Sequence, residues 1–230
     1  MLARIYDALS PADPIAKRLD AAFGNAVESV RPTPAQPVRS EWKKALLLGE
    51  LDDLRALDPG DITKHRSADE IFGSVPDDAA RISRTIRIDP AQTRWHSTGV
   101  YAPPGELITV TVPEVVLEAG FLIRFGGHTD NIAVRPAWKR PPQVHWQYPL
   151  DANEIEAASP FGGALYIDVG TNNREIAPFE VTINGAVEAP FCILGETSDE
   201  DWVNGLRDAP APYAEFVSEH LAMSLPSNLI

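Results

Sequence analysis

Apolar residues fall into two patterns along the chain, and the change comes near Ile86. From Pro14 to Val30, Ile15, Leu19, Phe23 and Val27 stand four apart, which is one face of a helix. Asp13 followed by Pro14 supplies an N-cap and a proline at the first helical position. The segment from Arg31 to Val38 contains Pro32, Pro34 and Pro37 and reads as an extended linker. Ser40 caps a second helix that runs through Leu46 to Leu57 and ends at Pro59-Gly60. Asp78 to Arg84 reads as one more short helical piece. Residues 1–85 are therefore expected to be a helical region.

After Ile86 the pattern becomes short alternating apolar runs between Pro, Gly and Asn turns. Leu107–Val112, Val115–Leu117, Phe121–Phe125 and Ala164–Val169 read as strands, and Phe179–Ile183 as another. Asn184-Gly185 predicts a tight hairpin turn, with Val187–Leu194 as the return strand and Pro190 at an edge or bulge. Leu221–Leu225 closes the series. Asp201–Leu206 and Ala211–Glu219 break it and read as short helices or loops. The connections are too short for crossover helices. The fold class is thus mainly β with an α-helical N-terminal region, an antiparallel β-sandwich of jelly-roll type over residues 86–230.

Composition and charge narrow the function. The chain has 230 residues, 44% of them hydrophobic, enough for a real core. Net charge is −13, and residues 151–230 hold 14 Asp and Glu against only Arg174 and Arg207. That surface repels phosphate, so nucleic acid is excluded as a partner. No apolar run approaches the roughly 18 residues of a membrane span. Asp7 interrupts the N-terminus early, so no secretory signal is read, and the chain is cytoplasmic as written or has lost its leader. Cys192 is the single cysteine and sits in an apolar run, where it reads as a small core residue.

Candidate chemistry is sparse. The five histidines form no His-Glu-x-x-His motif, and no nucleophile elbow or phosphate loop is present. His128 with Asp130 after Gly126-Gly127 reads as a polar turn, with a ligand site as the rival reading. The acidic run Glu196, Asp199, Glu200 and Asp201 reads as a solvated loop. Trp138, Trp146 and Trp202 form, with His128 and Asp130, the candidate surface for a ligand or partner; packing is the competing role for each ring.

Six segments in order carry a resemblance: Ser97-Thr-Gly-Val-Tyr-Ala-Pro-Pro-Gly-Glu106 with the strand after it, Phe125-Gly-Gly-His-Thr-Asp130, Trp138-Lys-Arg-Pro-Pro142, Ala158-Ser-Pro-Phe-Gly-Gly-Ala-Leu-Tyr-Ile167, Ile183-Asn-Gly-Ala-Val-Glu-Ala-Pro-Phe191 and Leu206-Arg-Asp-Ala-Pro-Ala-Pro-Tyr-Ala-Glu215. Together they resemble the front portion of the enhancin-like zinc metallopeptidases, which cleave mucins and other glycoproteins, often outside the cell. The resemblance implies that Thr98–Tyr101 opens the first strand and that the zinc helix and its ligands lie beyond this stretch. No catalytic residue or metal ligand is carried over, and zinc is expected only in the catalytic domain. That domain is then the expected partner, with a glycoprotein or glycan as a further one. The sandwich would expose an apolar patch where the catalytic domain docks. The alternative is a stand-alone sandwich that binds a glycan or a protein.

Overall fold

A computed structural model describes residues 13–171 and 175–230, so the reading of the first residues as lacking a leader concerns a segment outside the described ones. The chain divides into two compact units, one of residues 1–56 with 132–142 and one of residues 57–131 with 143–230.

In the first unit, helix α1 spans Pro14–Glu28 and helix α2 spans Glu41–Ala56. Asp13 caps α1 as its sequence predicts, its carboxylate accepting from the Ile15 amide at 2.7 Å. Of the predicted face, one described residue in three is buried. Val27 is buried, Ile15 and Phe23 are exposed, and the side chain of Leu19 lies outside the described ones. The core forms instead at the C-terminal end of α1, where Val27, Val30, Val38, Leu46, Leu47 and Trp138 pack together. Val38 and Trp138 exchange backbone hydrogen bonds at 2.8 Å in an isolated bridge, which ties the proline linker to residues 132–142. This bridge has no signature in the sequence, because its two partners lie a hundred positions apart.

The second unit is mostly β and antiparallel. Its strands are β1 (Ile82–Ile88), β2 (Trp95–Ala102), β3 (Ile108–Thr111), β4 (Leu122–Phe125), β5 (Trp146–Pro149), β6 (Glu154–Ala157), β7 (Gly163–Asp168) and β8 (Phe179–Glu188). They pair in the order β5-β4-β7-β2-β8-β3-β6, with β1 also on β8. A smaller sheet follows, β9 (Phe191–Ile193), β10 (Tyr213–Val217) and β11 (Ala222–Pro226), with β10 in the middle. Two short helices, α3 (Ala68–Phe72) and α4 (Asp199–Asn204), complete it. Alternation supplies the core: Val181 and Ile183 of β8, Val110 of β3, Ile123 and Phe125 of β4, and Leu165 and Ile167 of β7 are all buried. Phe121 and Phe179 stack at 5.7 Å between ring centres.

Six local expectations are corrected. Asp78–Arg84 is not helical. Ile82, Arg84 and Ile86 alternate with Ser83, Thr85 and Arg87, and this period-two segment pairs along β8 as β1. The strand at Thr98–Tyr101 is consequently the second. Val115–Leu117 is not a strand, since Glu114–Val116 makes a single 3-10 turn after Pro113. Asn184-Gly185 makes no hairpin. Strand β8 runs straight through it, and Ile82 pairs with Ala186 while Ser83 pairs with Asn184, so Gly185 is the extra residue of a bulge. Its φ of 88° is the left-handed value that only glycine adopts freely. The return strand is therefore absent, and Phe191–Ile193 pairs parallel to β10 instead. Ala211–Glu219 contains β10, because Tyr213–Val217 finds partners on both sides.

Candidate functional site

The residues singled out by sequence do not converge. Trp138 is 1% exposed in the core of the first unit, its indole N–H donating to the carbonyls of Ala133 and Arg135, with the Lys44 ammonium 5.5 Å from the ring centre. Trp146, on β5, is 6% exposed, and its ring meets Phe161 edge-on at 6.3 Å. Burial therefore takes both rings off any ligand surface. Trp202 is half-buried on α4 and packs at 5.1 Å against Phe216. His128 and Asp130 lie in an exposed loop after β4, with Nδ1 and Oδ1 3.3 Å apart. Among the described residues no group of three or more His, Cys, Asp or Glu is placed to hold a metal ion. The acidic run has a local explanation. Ser198 caps α4 by accepting from the Asp201 amide, and Asp199, Glu200 and Asp201 fill the first turn, where the helix dipole favours negative charge.

The structure instead assembles a polar cluster where the small sheet meets the large one. Directly opposed residues share a face, so one face of β4-β7-β2 carries Arg124, Tyr166 and Ser97 in a row and Leu122, Asp168 and Trp95 in the next. Phe125, Leu165, Ile123 and Ile167 point the other way, into the core. Three groups lock the second row over the first. The Arg124 guanidinium lies 4.2 Å from the Trp95 ring centre, and the Trp95 N–H donates to Asp168 at 2.9 Å. Arg124 also donates to the carbonyls of Gly126 and His128, which fixes the loop that bears His128. Burial lowers the Arg124 pKa, with Asp168 and Tyr166 acting in the opposite direction.

Glu215 of β10 sits on this face and is 1% exposed. The Tyr166 hydroxyl donates to its Oε1 at 2.5 Å and the Ser224 hydroxyl of β11 at 3.2 Å, and Ser97 is a further hydrogen-bond partner. No cation lies within ion-pair distance of Glu215 among the described residues. Burial pushes its pKa above the ordinary carboxylate range, and the hydroxyl donors counter this only in part. Burial likewise raises the Tyr166 pKa, with Glu215 adding to it. A signal for this cluster was present in the sequence. Arg124, Tyr166, Asp168 and Glu215 are polar residues inside apolar strand runs, and such residues need partners.

On its far side the small sheet carries Cys192, Phe216 and Met223 in one row, partly covered by Trp202. Met223, Leu221 and Leu194 are exposed.

A mostly β antiparallel unit with a second sheet keyed onto it by a buried carboxyl is the class that the fold and cluster define. Residues 77–184 match the N-terminal domain of M60-like peptidases, and residues 185–230 match Peptidase M60, enhancin and enhancin-like. Over residues 77–230 the chain is related to the enhancin-like M60 peptidases. A TRPM8 channel-associated factor homolog from Danio rerio is 36% identical over 136 residues, which is 59% of this chain and 15% of that protein. TRPM8 channel-associated factor 3 from Rattus norvegicus is 33% identical over 144 residues, 62% and 16%. The chain thus spans about a sixth of the length of these relatives. The IMPa metallopeptidase from Pseudomonas aeruginosa superposes with a TM-score of 0.52 at 19% identity, covering 92% of this chain and 28% of that one. A functionally unknown conserved protein from Bacillus anthracis str. Ames gives 0.50 at 18%, covering 64% and 31%. These two likenesses speak for the fold.

Proposed function

We propose that this chain is the non-catalytic front portion of an enhancin-like zinc metallopeptidase acting on glycoproteins, a jelly-roll-like sandwich that carries the peptidase part and holds it in place. One observation carries the reading. The two family matches meet at Asn184 and Gly185, inside β8. Ala186, Val187 and Glu188, on the peptidase side of that border, still pair with β1 and β2 of the sandwich. The sheet that follows is then seated on the sandwich through Glu215 and Tyr166. The start of the peptidase region is thereby built into the same fold as the domain before it. In this reading the zinc ligands and the hydrolytic step belong to the peptidase part and not to these residues. The test is incubation of the purified chain with added zinc and mucin or casein. No cleavage is expected, and zinc-dependent cleavage that a chelator abolishes would overturn the reading.

A binding module is the second reading. Its support is the naming of relatives as channel-associated factors and a surface groove of about 640 Å³ beside β1, β3 and β8. Arg87, Glu180, Thr111 and Thr182 give the groove hydrogen-bonding groups, and Pro113 and Val115 give it apolar contacts. Glycoprotein binding lost in Arg87→Ala and Glu180→Ala, with thermal stability unchanged, would favour this reading over the first.

A further inference from the structure

The contact between the two sheets turns on one carboxyl, which is fully buried while the groups that touch it are neutral hydroxyls. Tyr166 of β7, Ser97 of β2 and Ser224 of β11 hydrogen-bond Glu215, and the face of β4-β7-β2 that carries Tyr166 and Ser97 also carries Arg124, Asp168 and Trp95. Arg124 and Asp168 offset each other, since the field of Asp168 acts on the guanidinium. A proton on Glu215 leaves the buried cluster neutral. An ionised Glu215 adds one negative charge with hydroxyl donors alone to receive it, and burying such a charge is costly. Glu219 and His220, in the turn between β10 and β11, are exposed to solvent and outside the seat.

We propose that Glu215 is a proton-operated latch: protonated, it seats the β9-β10-β11 sheet on the sandwich, and ionised, it loosens that sheet while the sandwich stays folded. The latch does not rest on the peptidase reading, because it concerns how two sheets of this chain stay together. The direction follows from linkage. The carboxyl is pushed up by burial in the folded state, so its stabilising contribution is complete below the ordinary carboxylate range. It falls as pH rises toward the raised folded value and is gone above that. Acid therefore tightens the seat, and neutral or alkaline solution loosens it.

Amide hydrogen exchange measured from pH 4 to pH 8, corrected for intrinsic exchange, reads the latch strand by strand. Protection of β10 and β11 is expected to fall by up to about tenfold per pH unit across the window, the limit for one linked proton. Protection of β7 should stay level. Glu215→Gln should flatten the response of β10 and β11, since the amide keeps the shape and has no proton to lose. Tyr166→Phe is the second variant. It removes a donor that favours the ionised form, so the fall should extend to higher pH. Three results overturn the latch: protection of the small sheet that is flat or rises with pH in the wild type, a fall of equal size in β7, or a wild-type response in Glu215→Gln. Should Glu215→Gln fail to fold, an unshifted window in Tyr166→Phe overturns it as well.

Discussion

Glu215→Ala deletes the acceptor that serves the hydroxyls of Tyr166 and Ser224. The Tyr166 hydroxyl would keep its 3.4 Å contact to Ser224 and lose its shorter one. A buried polar group left without its partner costs about 1–3 kcal/mol, and a truncated side chain in a packed site adds a cavity term of order 1 kcal/mol. The desolvation relieved by removing the carboxyl works against both, and it is smallest when the group is protonated. At pH 5 the net loss should therefore be about 2–3 kcal/mol. Glu215→Gln keeps a carbonyl oxygen for Tyr166 and should lose less than about 1 kcal/mol. Urea unfolding at pH 5, followed by tryptophan fluorescence with the slope checked for constancy, measures both variants. Alanine and glutamine variants of equal stability, each within about 0.5 kcal/mol of wild type, would refute the claim that this carboxyl organises the contact.

Three further outcomes are expected. Arg124→Met removes the guanidinium over Trp95 together with its donors to Gly126 and His128; the loop at 126–130 should become the first site of limited proteolysis. Gly185→Ala places a side chain at φ 88° with its Cβ 3.0 Å from the Leu107 carbonyl, and the left-handed conformation alone costs about 1–2 kcal/mol, which a thermal melt will show as a lowered midpoint. His128→Ala with Asp130→Ala removes an exposed pair worth at most about 1 kcal/mol and should leave the melt unchanged; a midpoint raised by zinc in the wild type and lost in the double variant would restore the ligand-site reading.

Local signals in the sequence marked the elements whose causes are themselves local. The Asp13-Pro14 start of α1, the strand at Ile108–Thr111 and the apolar run at Leu165–Ile167 follow from capping and period. Errors arose where a distant partner decided the outcome. Asn184-Gly185 has the residues of a hairpin turn, yet β1 and β3 hold β8 extended through it, and the glycine serves a bulge. Tyr213–Val217 follows two prolines and resembles a loop until β9 and β11 flank it. Among the candidate residues, aromatic character drew attention to Trp138 and Trp146, and burial assigns both to packing. The polar cluster escaped notice because its members come from β2, β4, β7, β10 and β11. Each one alone is a single polar residue in a strand, and only the sheet order brings Arg124, Tyr166 and Ser97 beneath Glu215.

The peptidase-matching sheet meets the large sheet through the contact of Tyr166 with Glu215. A double-mutant cycle of Tyr166→Phe and Glu215→Ala, read by urea unfolding at pH 5, tests it most directly. The two losses should fall short of adding by about 1–2 kcal/mol, as expected for partners in a buried charge-assisted or short neutral hydrogen bond. Losses that add to within about 0.3 kcal/mol would mean that the two residues act independently, and the sheet would then owe its seat to something other than this contact.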